Sequence, residues 1–207
     1  MTPAAEVLRG DVLDVAPRLL GAHLTHAGVT VRLTEVEAYA GGDDPGSHAF
    51  RGRTPRTEVM FGRAGRLYVY FTYGMHFCAN VVTGTEGSAS AVLLRAGEVV
   101  GGHERAAERR PGVRERDLAR GPARLARTLA LGREQNGLDL LDDDGDGVLA
   151  LGEPVDPALV RTGPRVGVSG PGGDGTAFPW RFWVDGEPTV SAYRAAVPRR
   201  RPTSDRG

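Results

Sequence analysis

The chain contains no lysine, since all 26 of its basic residues are arginine. The protein therefore cannot form a lysine Schiff base with a carbonyl substrate, and only its N-terminal amine could take the place of the lysine. Cysteine is almost absent as well. The single thiol, Cys78, can form neither an internal disulfide nor a cysteine metal cluster. Lysine-dependent covalent catalysis and a disulfide scaffold are thus excluded.

Long apolar runs are also missing. No segment approaches the ~18 apolar residues that a membrane helix needs, and the first residues lack the basic head and apolar core of a secretory signal. The composition, 40% hydrophobic and 25% charged, is ordinary for a globular domain. We expect one domain over residues 1–207, with an ordered core from about 6 to 194 and a frayed tail at 195–207.

The net charge is zero, but the charges are unevenly distributed along the chain. Residues 51–66 and 103–133 are rich in arginine, whereas residues 134–160 contain eight acids and no arginine. Basic faces of this kind suit a polyanion such as nucleic acid. A solvated surface of mixed charge explains the same distribution equally well when charge alone is considered.

The apolar pattern predicts an α+β domain. We expect a helix over residues 5–20 and another over 122–131, where a proline after a glycine can open the helix. Helices and strands do not alternate regularly, so the sheet should be mainly antiparallel. Strands are predicted at 29–39, 67–72, 89–95, 165–169 and 180–184, with two short ones within 138–151.

Two local motifs match known ligand-binding loops incompletely. Residues 170–175 fit G-x-G-x-x-G, but an aromatic run with Pro179 follows where a dinucleotide site needs a helix. Residues 142–153 have the spacing of a calcium-binding loop, yet prolines follow where a second helix should begin. The ligand positions would be Asp142, Asp144, Asp146 and Glu153. An acidic surface turn is the simpler interpretation, with calcium binding as the alternative.

Three of the five tyrosines lie within six residues, at Tyr68, Tyr70 and Tyr73. On a strand, Tyr68 and Tyr70 would face one way, and Val69 and Phe71 would face the core. The tyrosine face needs hydrogen-bond partners for its hydroxyls or an aromatic ligand on which to stack. A half-buried sheet lined by tyrosines is the purely structural alternative.

Charged residues on other strands indicate a pocket near these tyrosines. Glu35, Glu37 and Tyr39 alternate and so share one face of a strand, although strands disfavour glutamate. A carboxylate among tyrosines can have its pKa raised by desolvation and act as a general base. His48 follows a loop, and Arg95 ends an apolar strand. With the basic flanks, these residues indicate a pocket for a flat heterocycle attached to DNA.

Here the sequence resembles the alkyladenine (3-methyladenine) DNA glycosylase family, over about residues 6 to 194. The matching motifs are T-E-V-E-A-Y at 34–39, His48, R-T-P-R at 53–56, Y-V-Y-F-T-Y-G-M at 68–75, C-A-N at 78–80, V-L-L-R at 92–95, R-G-P-A-R-L at 120–125 and P-R-V-G-V at 164–168. The resemblance implies one domain around a curved antiparallel sheet, without metal or cofactor. It also implies a monofunctional glycosylase that flips alkylated or deaminated purines out of duplex DNA and hydrolyses the N-glycosidic bond.

The resemblance assigns roles in the reaction and in base extrusion. Glu37 matches the base that activates a water, and Arg95 and the backbone carbonyl of Val166 match the groups that hold this water. Tyr73 matches the side chain that enters the duplex where the base has left, with Met75 wedging nearby. Filling the gap would offset the few kcal/mol that extrusion of a nucleotide costs.

The resemblance also assigns the walls of the base pocket. Tyr39 matches the residue that stacks on one face of the flipped base, and His48 and Tyr70 match the opposite wall. Asn80 matches the residue that crowds the exocyclic amine of a normal guanine. The candidates for contacts with the DNA backbone are Arg51, Arg53, Arg56 and Arg124.

The expected partner is double-stranded DNA containing damaged purines, bound by a monomer in the bacterial cytoplasm, on the nucleoid, without any membrane. A DNA-binding module of the same fold that has lost catalysis is one alternative, and a calcium-binding protein is another. Residues 99–116, 142–146 and 170–175 match no part of the family pattern. The affinity for DNA and the range of lesions therefore stay open.

Overall fold

The computed structural model describes residues 3–72, 74–142 and 144–196. The helices in these residues are α1 (Ala4–Leu8), α2 (Val12–Arg18), α3 (His103–Arg109) and α4 (Pro122–Thr128). The strands are β1 (His23–His26), β2 (Val29–Tyr39), β3 (Leu67–Thr72), β4 (His76–Val82), β5 (Ala91–Gly101), β6 (Gly147–Ala150), β7 (Val160–Gly163) and β8 (Arg181–Val184). The predicted α+β class is confirmed. Tyr73 and residues 197–207, which include most of the expected tail, lie outside the described part.

The strands form one open sheet in which all described pairs of strands are antiparallel. The main order is β3–β4–β5–β2–β1–β6, and β8 joins β2 to β7. Strands β3, β4 and β5 follow one another in the chain as a meander, which accounts for their direct pairing. The long strand β2 lies in the middle of this order.

Strand β2 has strand partners on both sides. Residues 29–32 pair with β1 and residues 35–37 pair with β8, while β5 runs along the other side. The register with β5 shifts on either side of Glu35, a local irregularity of the bulge type. Backbone therefore flanks Glu35 and Glu37 on both sides, and both side chains are fully buried.

The N-terminal segment forms two short helices, so the single helix predicted over residues 5–20 is wrong. Helix α1 ends in a turn in which the Gly10 N–H donates to the Val7 carbonyl at 3.0 Å. Asp11 then caps α2, because its carboxylate accepts a hydrogen bond from the Leu13 N–H at 2.9 Å. An aspartate that caps a new helix competes with continuation of the old one.

Helix α4 begins at Pro122 as predicted but ends before residue 131. Its end is fixed by a distant side chain, since Arg109 donates a hydrogen bond to the Thr128 carbonyl at 2.6 Å. Ala130 then takes a positive φ of 53°, which ends the helical path. The arginine-rich segment 99–116, which matched no pattern, thus supplies a cap for α4 through α3.

Three strand predictions differ from the structure. Residues 165–169 form a turn, because the chain reverses at Gly167 with a φ of 72°. The last strand of the β3–β4–β5 meander begins at Ala91 and continues to Gly101, well beyond the predicted end at 95. Among the described residues of 138–151 only β6 is a strand, and the seven-residue β4 and the four-residue β1 and β7 were not predicted at all. Short strands of four residues give too little alternation to be seen in a sequence.

The acidic segment does not have the frame of a calcium-binding hand in the part of the chain that is described. Asp142 accepts a hydrogen bond from the Asp144 N–H at 3.2 Å in a turn, but no α-helix borders residues 142–153 in the described chain, since α4 ends at Thr128 and none follows Glu153. Among the described residues, no group of three acidic, histidine or cysteine side chains is placed to hold a metal ion. None of the described helices is both long and apolar enough to cross a membrane.

The core contains Leu94 of β5, which is fully buried, whereas Val100 on the same strand is 41% exposed. We expect Leu94→Ala to lower the free energy of unfolding by about 2–5 kcal/mol, because it removes buried methyl groups and leaves a cavity. The exposed control Val100→Ala should cost less than about 1 kcal/mol. Urea unfolding followed by circular dichroism measures both, and equal losses would contradict this assignment of the core.

Candidate active site

A cavity of about 460 Å³ lies where β2, β3, β4 and β5 meet the loop that follows β7. Its lining combines charged, polar and aromatic side chains. It includes Glu37, Tyr39, His48, Tyr70, Asn80, Arg95 and Val166. All seven residues that sequence analysis assigned to the water and to the base pocket are therefore brought together around one space.

Glu37 is fully buried at the bottom of this arrangement and receives hydrogen bonds at both carboxylate oxygens. The Val166 N–H donates to Oε1 at 2.7 Å, and the Tyr39 hydroxyl donates to Oε2 at 2.9 Å. Arg95 Nη1 lies 3.4 Å from Oε1. Burial raises the pKa of Glu37, although Arg95, the Val166 N–H and Tyr39 each oppose the rise. A carboxylate with a raised pKa is a better proton acceptor.

Arg95 is held by a second buried carboxylate. Its Nε donates to Glu35 Oε1 at 2.7 Å, and the same oxygen accepts from Arg181 Nε at 2.7 Å. The other oxygen of Glu35 accepts from the Ser191 N–H at 2.6 Å. Glu35 thus fixes the guanidinium of Arg95, which also reaches Glu37. A buried ion pair needs such a fixed geometry to offset the cost of desolvation.

Three rings from β3 and the preceding loop form a packed aromatic group. Tyr68 and Tyr70 stack with centroids 5.6 Å apart, and His48 meets Tyr70 edge-on at 4.6 Å. His48 Nδ1 also lies 3.2 Å from the Tyr68 hydroxyl. Burial raises the pKa of both Tyr39 and Tyr70 well above the usual value, so their hydroxyls stay protonated at neutral pH.

His48 is a neutral ring in this group, although part of its surface remains exposed. Desolvation and the nearby Arg56 guanidinium lower its pKa to about 4. Arg56 Nη2 lies 3.5 Å from His48 Nε2 and its guanidinium lies 5.8 Å from the Tyr70 ring centroid. The exposed Arg56 therefore disfavours protonation of His48, so this ring in the wall of the cavity stays uncharged.

Asn80 lies opposite Tyr68 in the β3–β4 pair and is buried. Its amide donates a hydrogen bond to the Tyr68 carbonyl at 3.2 Å, which fixes the side chain against the cavity. Cys78 lines the same wall, and burial raises the pKa of its thiol. Neither side chain carries a charge into the space.

Val166 lies in the turn that replaces the predicted strand 165–169. The family resemblance implied a role for its carbonyl, whereas the contact that the structure shows is made by its N–H, which donates to Glu37. The next residue, Gly167, donates its N–H to the Arg194 carbonyl at 3.1 Å. The turn is therefore held between the catalytic carboxylate candidate and the C-terminal segment.

The tip of the β3–β4 hairpin points away from the core. Met75, near this tip, is 69% exposed. Phe71 is 44% exposed and packs on Phe77 with ring centroids 5.0 Å apart, so the prediction that it lies in the core is wrong, because it lies near the end of β3, next to the hairpin tip. Tyr73 lies outside the described residues. The four arginines proposed for DNA backbone contacts are all exposed: Arg51, Arg53, Arg56 and Arg124.

Sequence analysis missed several residues that do not line the cavity but hold its lining residues or their loops in place. Arg165 and Asp44 form a fully buried ion pair, and Arg181 and Ser191 complete the hydrogen bonds of Glu35. In a chain with 26 arginines, no local pattern distinguishes a buried guanidinium from an exposed one. These contacts join residues more than one hundred positions apart, which only the folded chain brings together.

Taken together, the fold and the site define a class of protein. A buried carboxylate with a raised pKa, an arginine beside it and neutral aromatic rings form the site of an enzyme that acts on a flat heterocyclic group. Within this class, the family is shown by comparison. The family model described as Methylpurine-DNA glycosylase (MPG) matches residues 6–188. The chain therefore belongs to the methylpurine-DNA glycosylase family, a family of DNA repair enzymes.

Several curated bacterial proteins are similar over nearly their whole length. A protein of Streptomyces avermitilis is 56% identical over 204 residues, which cover 96% of this chain and 94% of that protein. One of Leifsonia xyli subsp. xyli is 52% identical, covering 93% of this chain and 92% of its own. One of Frankia casuarinae is also 52% identical, with 92% and 91% covered. Each carries the name "Putative 3-methyladenine DNA glycosylase".

The contact between His48 and Arg56 can be tested by titration. We expect His48 to titrate near pH 4 in the native protein and to move upward in Arg56→Ala, because a nearby positive charge disfavours the imidazolium. Arg53→Ala is the matched control, since Arg53 lies over Phe61 at 4.8 Å instead. NMR titration of the His48 ring proton gives the answer, and a native pKa near 6.5 would contradict the lowered pKa of this ring.

Proposed function

We propose that this chain is a monofunctional DNA glycosylase for alkylated or deaminated purines, the class of 3-methyladenine, 7-methylguanine, hypoxanthine and ethenoadenine. It would flip the damaged nucleotide out of duplex DNA and hydrolyse the N-glycosidic bond, leaving an abasic site. The observation that carries the proposal is the buried Glu37 carboxylate, held at both oxygens and facing a cavity lined by neutral aromatic rings. Family membership and the names of the relatives support it.

The chemistry assigned to Glu37 is that of a general base. A water beside the carboxylate attacks C1′ of the damaged nucleotide and gives a proton to Glu37 as its oxygen bonds to the sugar. The glycosidic bond breaks, and its electron pair leaves on the purine. The raised pKa of Glu37 favours acceptance of this proton, and Arg95 at 3.4 Å orients the carboxylate. Val166 and Tyr39 supply the two hydrogen bonds that fix it.

Recognition would depend on stacking. Aromatic stacking contributes about 1–3 kcal/mol per base in proteins that bind single strands. An alkylated purine is cationic and poor in π electrons, so an electron-rich tyrosine face favours it over a neutral base. Tyr39 and Tyr70 keep neutral, protonated hydroxyls, and His48 is neutral at physiological pH. None of these three rings therefore repels a cationic base.

The outer surface suits a DNA duplex. We assign phosphate contacts to the exposed Arg51, Arg53, Arg56 and Arg124, and we assign insertion into the duplex to Tyr73 and Met75. Hydrolysis without strand cleavage agrees with a sequence that has no lysine for a Schiff base. We propose that the protein acts as a monomer on chromosomal DNA in the cytoplasm.

The direct test is base release from duplexes that each contain one hypoxanthine or one methylated purine, with EDTA present. Alkali then cleaves the strand at any abasic site, and a parallel sample without alkali reveals lyase activity. We expect strand cleavage only after alkali. Intact binding of DNA without release from any of these duplexes would favour the DNA-binding module that has lost catalysis.

The role of Glu37 predicts a separation of binding from chemistry. We expect Glu37→Gln to bind the lesion duplex as tightly as the native protein and to release base about 10²–10⁴-fold more slowly, because the amide cannot accept the proton. Glu6→Gln, at an exposed position in α1, is the matched control and should keep full activity. Gel-shift titration and single-turnover release measure the two properties. Full release by Glu37→Gln would refute the assignment.

The motif around Tyr73 predicts a loss of base extrusion. We expect Tyr73→Ser to weaken flipping of the damaged nucleotide, because no ring then fills the gap in the duplex. The fluorescence of a 2-aminopurine next to the lesion reports extrusion in solution. Leu159→Ser, an exposed apolar position beside β7, serves as control. Unchanged fluorescence and turnover in Tyr73→Ser would show that Tyr73 has no part in extrusion.

A further inference from the structure

Arg165 is fully buried behind the cavity and uses both ends of its guanidinium. Nη2 donates to Asp44 Oδ1 at 2.7 Å and to the Gly172 carbonyl at 2.8 Å. Nη1 donates to the other oxygen of Asp44 and, at 2.9 Å, to the Ala38 carbonyl of β2. One side chain thus joins the central strand, the loop after it and the turn near residue 172. Such a bidentate pair is geometrically specific.

Two glycines allow the loops to close over this guanidinium. A Cβ on Gly46 would collide with Arg165 Nη2 and with the Val168 side chain, and a Cβ on Gly172 would collide with the Gly46 backbone. These close approaches leave no room for a side chain at either position. The Arg165–Asp44 pair therefore has a single tightly packed place between the loops.

Arg165 is next to both groups that donate hydrogen bonds to Glu37: it contacts the Tyr39 ring, and it precedes Val166 in the chain. The Arg165 guanidinium lies over the Tyr39 ring, 4.5 Å from its centroid, while the Tyr39 hydroxyl donates to Glu37. Val166, whose N–H donates to the other oxygen of Glu37, is the next residue in the chain. Arg165 itself does not line the cavity, which leaves it without a direct contact to any bound base.

We propose that Arg165 and Asp44 are a positioning pair for the reaction, which acts through Tyr39 and Val166 to hold the Glu37 carboxylate in place. The inference rests on the proposed function, since it assumes that Glu37 is the base. It adds two residues that sequence analysis did not assign. A purely structural pair would stabilise the loops and leave the titration of Glu37 unchanged, so this titration separates the two roles.

The groups that face Glu37 come from every element around it. They are Glu35 and Tyr39 on β2, Tyr70 on β3, Cys78 on β4, Arg95 on β5, Arg181 on β8, which is opposite Glu37 in the strand pair, and the Val166 N–H. Tyr39 and Val166 are two of the three groups that lower its pKa. If Arg165 holds these two donors, loosening them raises the pKa of Glu37 further. The rate should then begin to fall at a higher pH on the acid side.

The first experiment compares single-turnover base release against pH in the native enzyme and in Arg165→Lys. Lysine keeps the charge but lacks the planar fork that contacts two carboxylate oxygens and two carbonyls. We expect the acid limb to move up by about one pH unit, with about a tenfold slower release at pH values below it and little change in KM. Arg32→Lys is the matched control, because Arg32, on β2, is likewise paired with carboxylates, Glu98 and Glu187, which lie away from the cavity.

The second measurement does not require activity. NMR titration of a ¹³C-labelled Glu37 carboxyl in the native protein, Arg165→Lys and Asp44→Asn should show a higher pKa in both variants. A shifted titration with no base release by the native protein would refute the proposed function and support the positioning role. An unchanged acid limb and titration in folded Arg165→Lys would overturn the inference. So would loss of folding in both variants, which would identify the pair as structural.

Discussion

The structure depends on the balance of six buried charges in and around one cavity. Among the described residues, the buried carboxylates and guanidiniums are equal in number: Glu35, Glu37 and Asp44, with Arg95, Arg165 and Arg181. An unpaired charge in such an interior costs several kcal/mol, so each one requires a partner with good geometry. Glu35 connects β2 to β5, to β8 and to the C-terminal segment, and Arg165 connects the turn after β7 to β2 and to the loop after β2. The same contacts that make burial of the Glu37 carboxylate possible also bring together the walls around it.

Within this network the two glutamates of β2, Glu35 and Glu37, have different surroundings. Glu35 accepts hydrogen bonds from two arginines and Ser191, so its charge is fully compensated by the protein. Glu37 receives only two short hydrogen bonds and one longer contact with Arg95, and burial raises its pKa. Two residues of the same type on one strand face thus have different hydrogen-bond partners. The difference comes from what the neighbouring strands and the turn at Val166 place beside them.

The cavity wall and the protein surface differ in charge. The chain carries 26 arginines, and those assigned to DNA contacts are exposed at the rim. The rings in the wall are neutral, because burial raises the pKa of the tyrosines and burial together with Arg56 lowers that of His48. A polyanion would be attracted to the outside, while a cationic base would meet no positive ring inside. This separation matches the combination of a negative backbone and a damaged base in one substrate.

The sequence by itself determined the class of fold, the bounds of β2 and β3, and seven of the residues that line the cavity, because strand periodicity and the family motifs are local. It also indicated a helix beginning at Pro122. Only the tertiary structure decided that 165–169 is a turn, that Phe71 is exposed and that Arg165 pairs with Asp44. The physical reason is that a buried charge is stabilised by partners from distant segments of the chain. The local sequence around the charge does not indicate which of these segments the fold brings near it.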